Sequence, residues 1–126
     1  MGRLFDGVAA ALGICAENTY EGQCAIMLED AAARAAKGSG LGQADDLALS
    51  FHRRIAQMIL ENCLKISEET GASDVALTGG VFQNKLLMEE TLELLRKHQL
   101  DPYYNISVSP NDGGIALGQA FAVMNG

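Results

Sequence analysis

Apolar residues recur along this chain at two different periods, and the change from one to the other divides it. From Arg3 to Gly13, the residues Leu4, Phe5, Val8, Ala9 and Leu12 fall on one stripe of a short amphipathic helix that Gly13 ends. Asn18 or Thr19 can cap a second helix, with Glu21 reaching back as in a capping box. Ile26, Met27 and alanine-rich turns carry that helix to about Lys37. Three glycines in the five residues 38–42 form the linker-like stretch, so a flexible connection is expected over about 38–44. Asp45 then caps the longest helix, where Leu47, Phe51, Ile55, Met58, Ile59, Cys63 and Ile66 step by three and four until Gly71.

Beyond Gly71 the period shortens. Val75, Ala76 and Leu77 make an apolar run bounded by turn residues, which reads as a buried strand stopped by Gly79-Gly80. From Asn84 the helical period returns through Leu86, Leu87, Leu92, Leu94 and Leu95. Pro102 opens a second strand-like stretch, Tyr103 to Val108, in which Tyr104, Ile106 and Val108 alternate with polar residues. Pro110-Asn111-Asp112-Gly113-Gly114 turns into a last helix built on Ile115, Leu117, Ala120, Phe121 and Met124. The second half is therefore βαβα, with parallel strands joined by a right-handed crossover. Both glycine turns then fall side by side at the carboxyl ends of the strands, where open α/β sheets bind ligands.

Composition narrows the class. The 126 residues, 48% hydrophobic and 20% charged, suit one packed domain over 1–126. A net charge of −7, with the nine basic residues scattered apart from Arg53-Arg54, disfavours nucleic acid and anionic membranes. No stretch approaches the roughly 20 apolar residues of a membrane span and no signal pattern opens the chain, so a cytoplasmic protein is expected. Cys15, Cys24 and Cys63 are odd in number and form no C-x-x-C pair, which reads as reduced, partly buried thiols. His52 lies beside the buried face of the long helix, the place of a hydrogen-bonded core residue. His98, near a helix end, suits the helix dipole.

Two helix N-termini opened by glycine present N–H groups to one small volume, which suits the phosphate or ribose of a nucleotide. Each piece has a plainer use as well. Gly79-Gly80 serves equally as an ordinary strand-to-helix turn, and Gly22 as a helix-packing residue. Asp112 either caps the last helix or shares a divalent cation with a phosphate. There is no Walker A lysine, H-E-x-x-H or G-x-S-x-G, and two separated histidines do not build a transition-metal site. A two-stranded sheet is marginal alone and leaves open edges, so the chain reads as one wall of a larger site.

Several stretches in one order resemble a known family. They are Leu-Phe-Asp-Gly-Val-Ala-Ala at 4–10, Tyr-Glu-Gly-Gln at 20–23, Phe-His-Arg at 51–53, Leu-Thr-Gly-Gly-Val-Phe-Gln-Asn at 77–84 and Pro-Asn-Asp-Gly-Gly-Ile-Ala-Leu-Gly-Gln at 110–119. Together they are similar to the C-terminal end of the HypF carbamoyltransferases of nickel–iron hydrogenase maturation. The resemblance covers nearly the whole chain except about residues 36–48. It implies an α/β fold, a helix-rich lobe of the actin-like ATPase and sugar-kinase (ribonuclease H-like) superfamily. It also implies transfer of a carbamoyl group from carbamoyl-adenylate, made from carbamoyl phosphate and ATP, to the C-terminal cysteine of a HypE-type acceptor.

Carried onto this chain, the resemblance places Gly79, Gly80, Val81, Asn84 and Gly113 against ATP or carbamoyl-adenylate and makes Asp112 a divalent-metal ligand. Glu21 and Gly22 would approach the carbamoyl or ribose end. The N-terminal transferase lobe, the zinc-finger cysteine pairs and the adenylate-forming domain of the family have no counterpart here. A complete active site is therefore not expected, and the missing lobe would come in cis or in trans. A homodimer is a second way to cover the sheet edge. The rival readings are a non-catalytic assembly module of the same fold, and a piece of a tRNA threonylcarbamoyl transferase, which the acidic charge disfavours.

Overall fold

In the computed structural model, which describes residues 1–108 and 110–125, helices α1 (Gly2–Ala11), α2 (Gln23–Ala36) and α3 (Gln43–Thr70) precede a strand–helix–strand–helix unit. That unit is β1 (Asp74–Leu77), α4 (Lys85–Lys97), β2 (Asp101–Tyr104) and α5 (Ile115–Asn125). Short 3₁₀ turns over Gly80–Gln83 and Asp112–Gly114 lead into α4 and α5.

The longest expected helix becomes the spine, but its buried face is offset from the expected stripe: Leu47, Met58 and Ile66 are exposed, and small residues such as Ala48 and Ala56 fill the helix–helix contact instead. Ala48, Leu49, His52, Ile55, Ala56 and Leu60 of α3 are buried, and α3 packs against both α2 and α4. Ala31 and Ala32, fully buried on α2, offer no bulk, so the two helices approach closely. One apolar cluster joins Phe5 and Ala9 of α1, Cys24 and Leu28 of α2, Ile55 of α3 and Leu87 of α4. A second, of Leu60, Leu77, Leu92, Leu95 and Leu100, seals α3 and α4 onto the sheet. Each fully buried leucine, such as Leu28 or Leu95, contributes about 1.5–3 kcal/mol. Gly71 ends α3 in the left-handed conformation at φ 75°, as its position after the last apolar step predicts.

The strands are parallel, with Asp74 opposite Asp101 and Leu77 opposite Tyr104. The expected second strand, Tyr103 to Val108, is displaced: pairing covers Asp101–Tyr104 and Ile106 is exposed. The reason is the length of β1. After Leu77 its chain turns away at Gly79, so residues 105–108 find no partner strand.

Helix ends depart from local expectation in two places. Asn18 Oδ1 does accept from an α2 amide, Cys24 N at 2.7 Å, but the group that reaches back is Gln23, not Glu21. Its Oε1 accepts from Thr19 N and Oγ1 at 2.7 and 2.8 Å. Asp45 does not cap α3, whose N-cap is Gly42. Its carboxylate instead receives both the Nε and an Nη of Arg34, at 3.0 and 2.9 Å, and the Leu41 amide at 2.9 Å. A bidentate charged partner outcompetes a helix amide. Arg34 holds the Asp45 carboxyl below its usual range, and Asp45 raises Arg34 in turn. The glycine-rich connection is tied to the same pair, since the Ser39 amide donates to the Arg34 carbonyl.

The thiols also depart from expectation. Cys15 and Cys24 are joined in a disulfide with a Cα–Cα distance of 5.2 Å. After α1 the amides of Ile14 and Cys15 fold back onto the Ala9 carbonyl, which turns Cys15 toward the start of α2. Cys63 is free, and burial pushes its thiol pKa up.

The last helix forms, but its apolar residues are not covered. No residue of α5 is buried, and Ile115, Leu117, Phe121 and Met124 are all exposed. No helix among the described residues is long and apolar enough to cross a membrane.

Candidate functional site

The two glycine turns meet as their topology predicts. Gly79, at φ 102°, adopts a conformation that side chains avoid, and its amide donates to the Pro110 carbonyl at 2.9 Å. This bond locks one turn against the other. The N–H groups of Gly80 and Val81, at the start of the 3₁₀ turn, have no hydrogen-bond partner among the described residues. Asn111 caps the second turn, its Oδ1 accepting from Gly113 N at 2.9 Å. Of the two uses open to Asp112, capping is thereby taken by its neighbour. The Asp112 carboxylate makes no hydrogen bond or ion pair among the described residues.

Facing the turns are α1, the α1–α2 loop and the first turns of α2. Between the two sides lies a cleft of about 1210 Å³. Glu21, Gly22, Gly80, Val81, Asn84, Asp112 and Gly113 all line it. Gly79 does not: it lines a smaller depression of about 350 Å³ behind the turns, with Thr78 and Gly114. Four carboxylates, Asp6, Glu21, Glu29 and Asp112, border the main cleft, against the Arg3 guanidinium. A bare polyphosphate is repelled by such a lining, and a cation-bound one much less. Asp6, which the helical stripe of α1 did not single out, has its Oδ1 enclosed without a partner among the described residues.

One expectation about the electrostatics is corrected. The N-terminus of α4 does not offer its amides to a ligand, because protein groups occupy them. Glu29 Oε1 accepts from Lys85 N at 2.7 Å and Leu86 N at 3.3 Å, and Asn84 Oδ1 accepts from Leu87 N at 2.8 Å. The amides left to a ligand are those of the 3₁₀ turn. Nothing local marks Glu29 for this role, since its partners lie on another helix more than fifty residues away.

Behind Asn84 stands His52, fully buried and in edge contact with the rings of Phe5 and Phe51. Its Nδ1 lies 2.8 Å from the Ala48 carbonyl and its Nε2 lies 2.9 Å from Asn84 Nδ2. Burial lowers its pKa. The core role that its place in the sequence predicts is the one it has.

The metal reading receives one donor only. Among the described residues no three His, Cys, Asp or Glu side chains come together in a way that could hold an ion. Asp112 supplies a single exposed carboxylate, so these residues by themselves do not build a metal site.

Residues 1–43 and 40–119 match the family described as carbamoyltransferase, Kae1-like domain, second subdomain. A HypF carbamoyltransferase of Rhodobacter capsulatus is 37% identical over 94% of this chain and 18% of its own length. One of Synechocystis sp. is 31% identical over 97% of this chain and 19% of its own. A crystal structure of full-length HypF in the phosphate- and nucleotide-bound form superposes with a TM-score of 0.83 at 30% identity, covering all of this chain and 21% of that one. The chain thus spans about a fifth of the length of these relatives.

Proposed function

The chain belongs to the HypF carbamoyltransferase family, as the second subdomain of the Kae1-like domain, and on that premise we propose that it forms the nucleotide-facing wall of a carbamoyl-transfer site. The observation that carries the proposal is the convergence in one cleft of seven residues from separate segments: Glu21, Gly22, Gly80, Val81, Asn84, Asp112 and Gly113. The ligand is ATP or carbamoyl-adenylate. The unpaired Gly80 and Val81 amides donate to its phosphate oxygens, and Asp112 would supply one carboxylate ligand to a divalent cation, which would offset the phosphate charge. Glu21 and Gly22 stand at the carbamoyl or ribose end. That a related structure is described as phosphate- and nucleotide-bound supports the ligand class.

The fold reading that goes with this is a lobe of the actin-like ATPase type, working in the cytoplasm. Its second lobe is supplied by a part of the protein outside these residues or by another chain. An acyl transfer needs donor, acceptor and electrophile held together, and one wall does not hold all three. The acceptor is the C-terminal thiol of a HypE-type protein.

The reading is tested by complementation. A HypF relative lacking its second subdomain is mixed with this chain, ATP, carbamoyl phosphate and a HypE-type acceptor, and the acceptor is analysed by mass spectrometry. A carbamoyl adduct that appears only with both pieces supports the proposal. No adduct, under conditions where the intact relative produces one, contradicts it. The uncovered apolar surface of α5 favours a second reading, a non-catalytic assembly module, in which the two pieces associate without transfer.

A further inference from the structure

The Ala48 carbonyl can only accept, so the ring nitrogen 2.8 Å from it, His52 Nδ1, carries the proton. In the neutral ring Nε2 is then an acceptor, and the Asn84 atom 2.9 Å from it must be the amide nitrogen. That leaves Asn84 Oδ1 facing the Leu87 N–H at 2.8 Å, a donor that accepts no other arrangement. Each link in the chain from Ala48 through His52 and Asn84 to Leu87 is thus forced by the one before it. Turning the amide over would oppose donor to donor at Leu87 and acceptor to acceptor at His52. Asn84 keeps two valences not used in this chain, its second Nδ2–H and the second lone pair of Oδ1, each held at a fixed place, and Asn84 lines the cleft.

We propose that His52 is a positioning residue of the cleft: from the buried face of α3 it fixes the Asn84 side-chain amide in one orientation, so that the remaining Nδ2–H and the remaining Oδ1 lone pair are presented at fixed and distinct places. The fixed Nδ2–H suits an acceptor oxygen of the ligand, a phosphoryl or ribose oxygen. This rests on the nucleotide reading of the cleft and adds to it the residue that orients the Asn84 amide on one wall. His52 itself touches no ligand. It is enclosed by Phe5 and Phe51, with Glu29 of α2 and Glu90 of α4 as the carboxylates that act on it. Both would favour a charged ring, and burial overrides them.

The test follows the Asn84 side-chain amide by nitrogen–proton NMR in the 126-residue chain, in wild type, His52→Gln and His52→Leu, with MgATP as the probe ligand. In wild type the two Nδ2 protons are expected at distinct positions, the one donated to His52 Nε2 shifted downfield and protected from exchange with water. They should move together with the His52 ring resonance as the pH falls below about 6.5, where protonation replaces the acceptor by a donor. Gln offers an acceptor oxygen in place of Nε2 and is expected to keep that shift and protection, whereas Leu removes both and weakens MgATP binding roughly tenfold, the loss of one oriented hydrogen bond. Asn84 resonances unchanged in His52→Leu, or indifferent to His52 titration in wild type, would overturn the proposal. Failure of wild type to bind MgATP would sink the nucleotide reading instead, and the amide resonances would still decide whether His52 positions Asn84.

Discussion

The Glu29 carboxylate accepts the Lys85 amide at 2.7 Å, and this contact joins two parts of the chain that the sequence keeps far apart. Glu29 lies on α2, the helix that begins just after Glu21 and Gly22. Lys85 opens α4, just after the turn that carries Gly80 and Val81. The two walls of the cleft are thereby held in register by a charged hydrogen bond to a helix N-terminus, where a carboxylate is favoured by the helix dipole.

Replacement of Glu29 should be felt in both stability and binding. Glu29→Ala leaves the Lys85 and Leu86 amides without their acceptor and is expected to cost about 1 kcal/mol in urea unfolding, the usual loss at a helix N-terminus. Nucleotide affinity should fall with it, because the walls are no longer tied. A variant as stable as wild type would show that the contact is incidental.

Acid should destabilise the fold in two separable steps. The His52 pKa is lowered on folding, so the unfolded chain takes up a proton first, and stability is lost as pH falls below about 6.5 and through the lower native value. The Asp45 pKa is also lowered, so the contribution of its pair with Arg34 is fully present above about pH 4 and is lost as pH falls through the native value. His52→Gln is therefore expected to flatten the upper part of the profile and Asp45→Asn the lower part, read as urea midpoints at stepped pH. Identical profiles in all three proteins would contradict this assignment.

The Cys15–Cys24 bond closes a short loop that carries Glu21 and Gly22. Cys15→Ser should cost about 2–3 kcal/mol, as expected for a loop of this length. Reductant should lower the wild-type melting temperature and leave the variant unchanged. Alkylation of denatured, unreduced protein should label Cys63 alone, and labelling of all three cysteines would show that the bond is absent in solution.

What was legible in the sequence was what repeats locally. The apolar steps from Leu47 to Ile66 do mark the length of the spine, but not its buried face, since Leu47, Met58 and Ile66 are exposed and Ile55 alone of the seven is buried; Gly71 does end it, and the turns at Gly79 and Asn111–Gly114 do meet. Pairings across the fold left no such trace. Asp45 looks like a cap until Arg34, eleven residues upstream, claims its carboxylate. Cys15 and Cys24 look like small apolar residues until the fold-back onto Ala9 brings them together. Alternation at Tyr104, Ile106 and Val108 overextends the second strand, because it signals strand character but not whether a partner reaches that far. Asp112 keeps two roles open in the sequence, which does not say which of two adjacent side chains, Asn111 or Asp112, takes the cap.

The exposed apolar face of α5 makes a prediction of its own. Phe121 is 68% exposed, so Phe121→Asp should change stability by no more than about 0.5 kcal/mol, the range of a surface substitution. It should nevertheless reduce self-association in sedimentation velocity, since it places a charge in the largest uncovered apolar element. A large loss of stability would mean that α5 packs against the body of the chain in solution.

The central claim, that the two joined turns and the facing loop form a nucleotide-binding wall, is tested most directly by titration calorimetry of ATP into the purified chain. It is run with and without Mg²⁺ and repeated on Asp112→Ala. The account predicts saturable binding that needs the cation and is lost or weakened at least tenfold in the variant, a change of about 1.4 kcal/mol. No heat of binding at millimolar ATP, or binding indifferent to both the cation and Asp112, would contradict it.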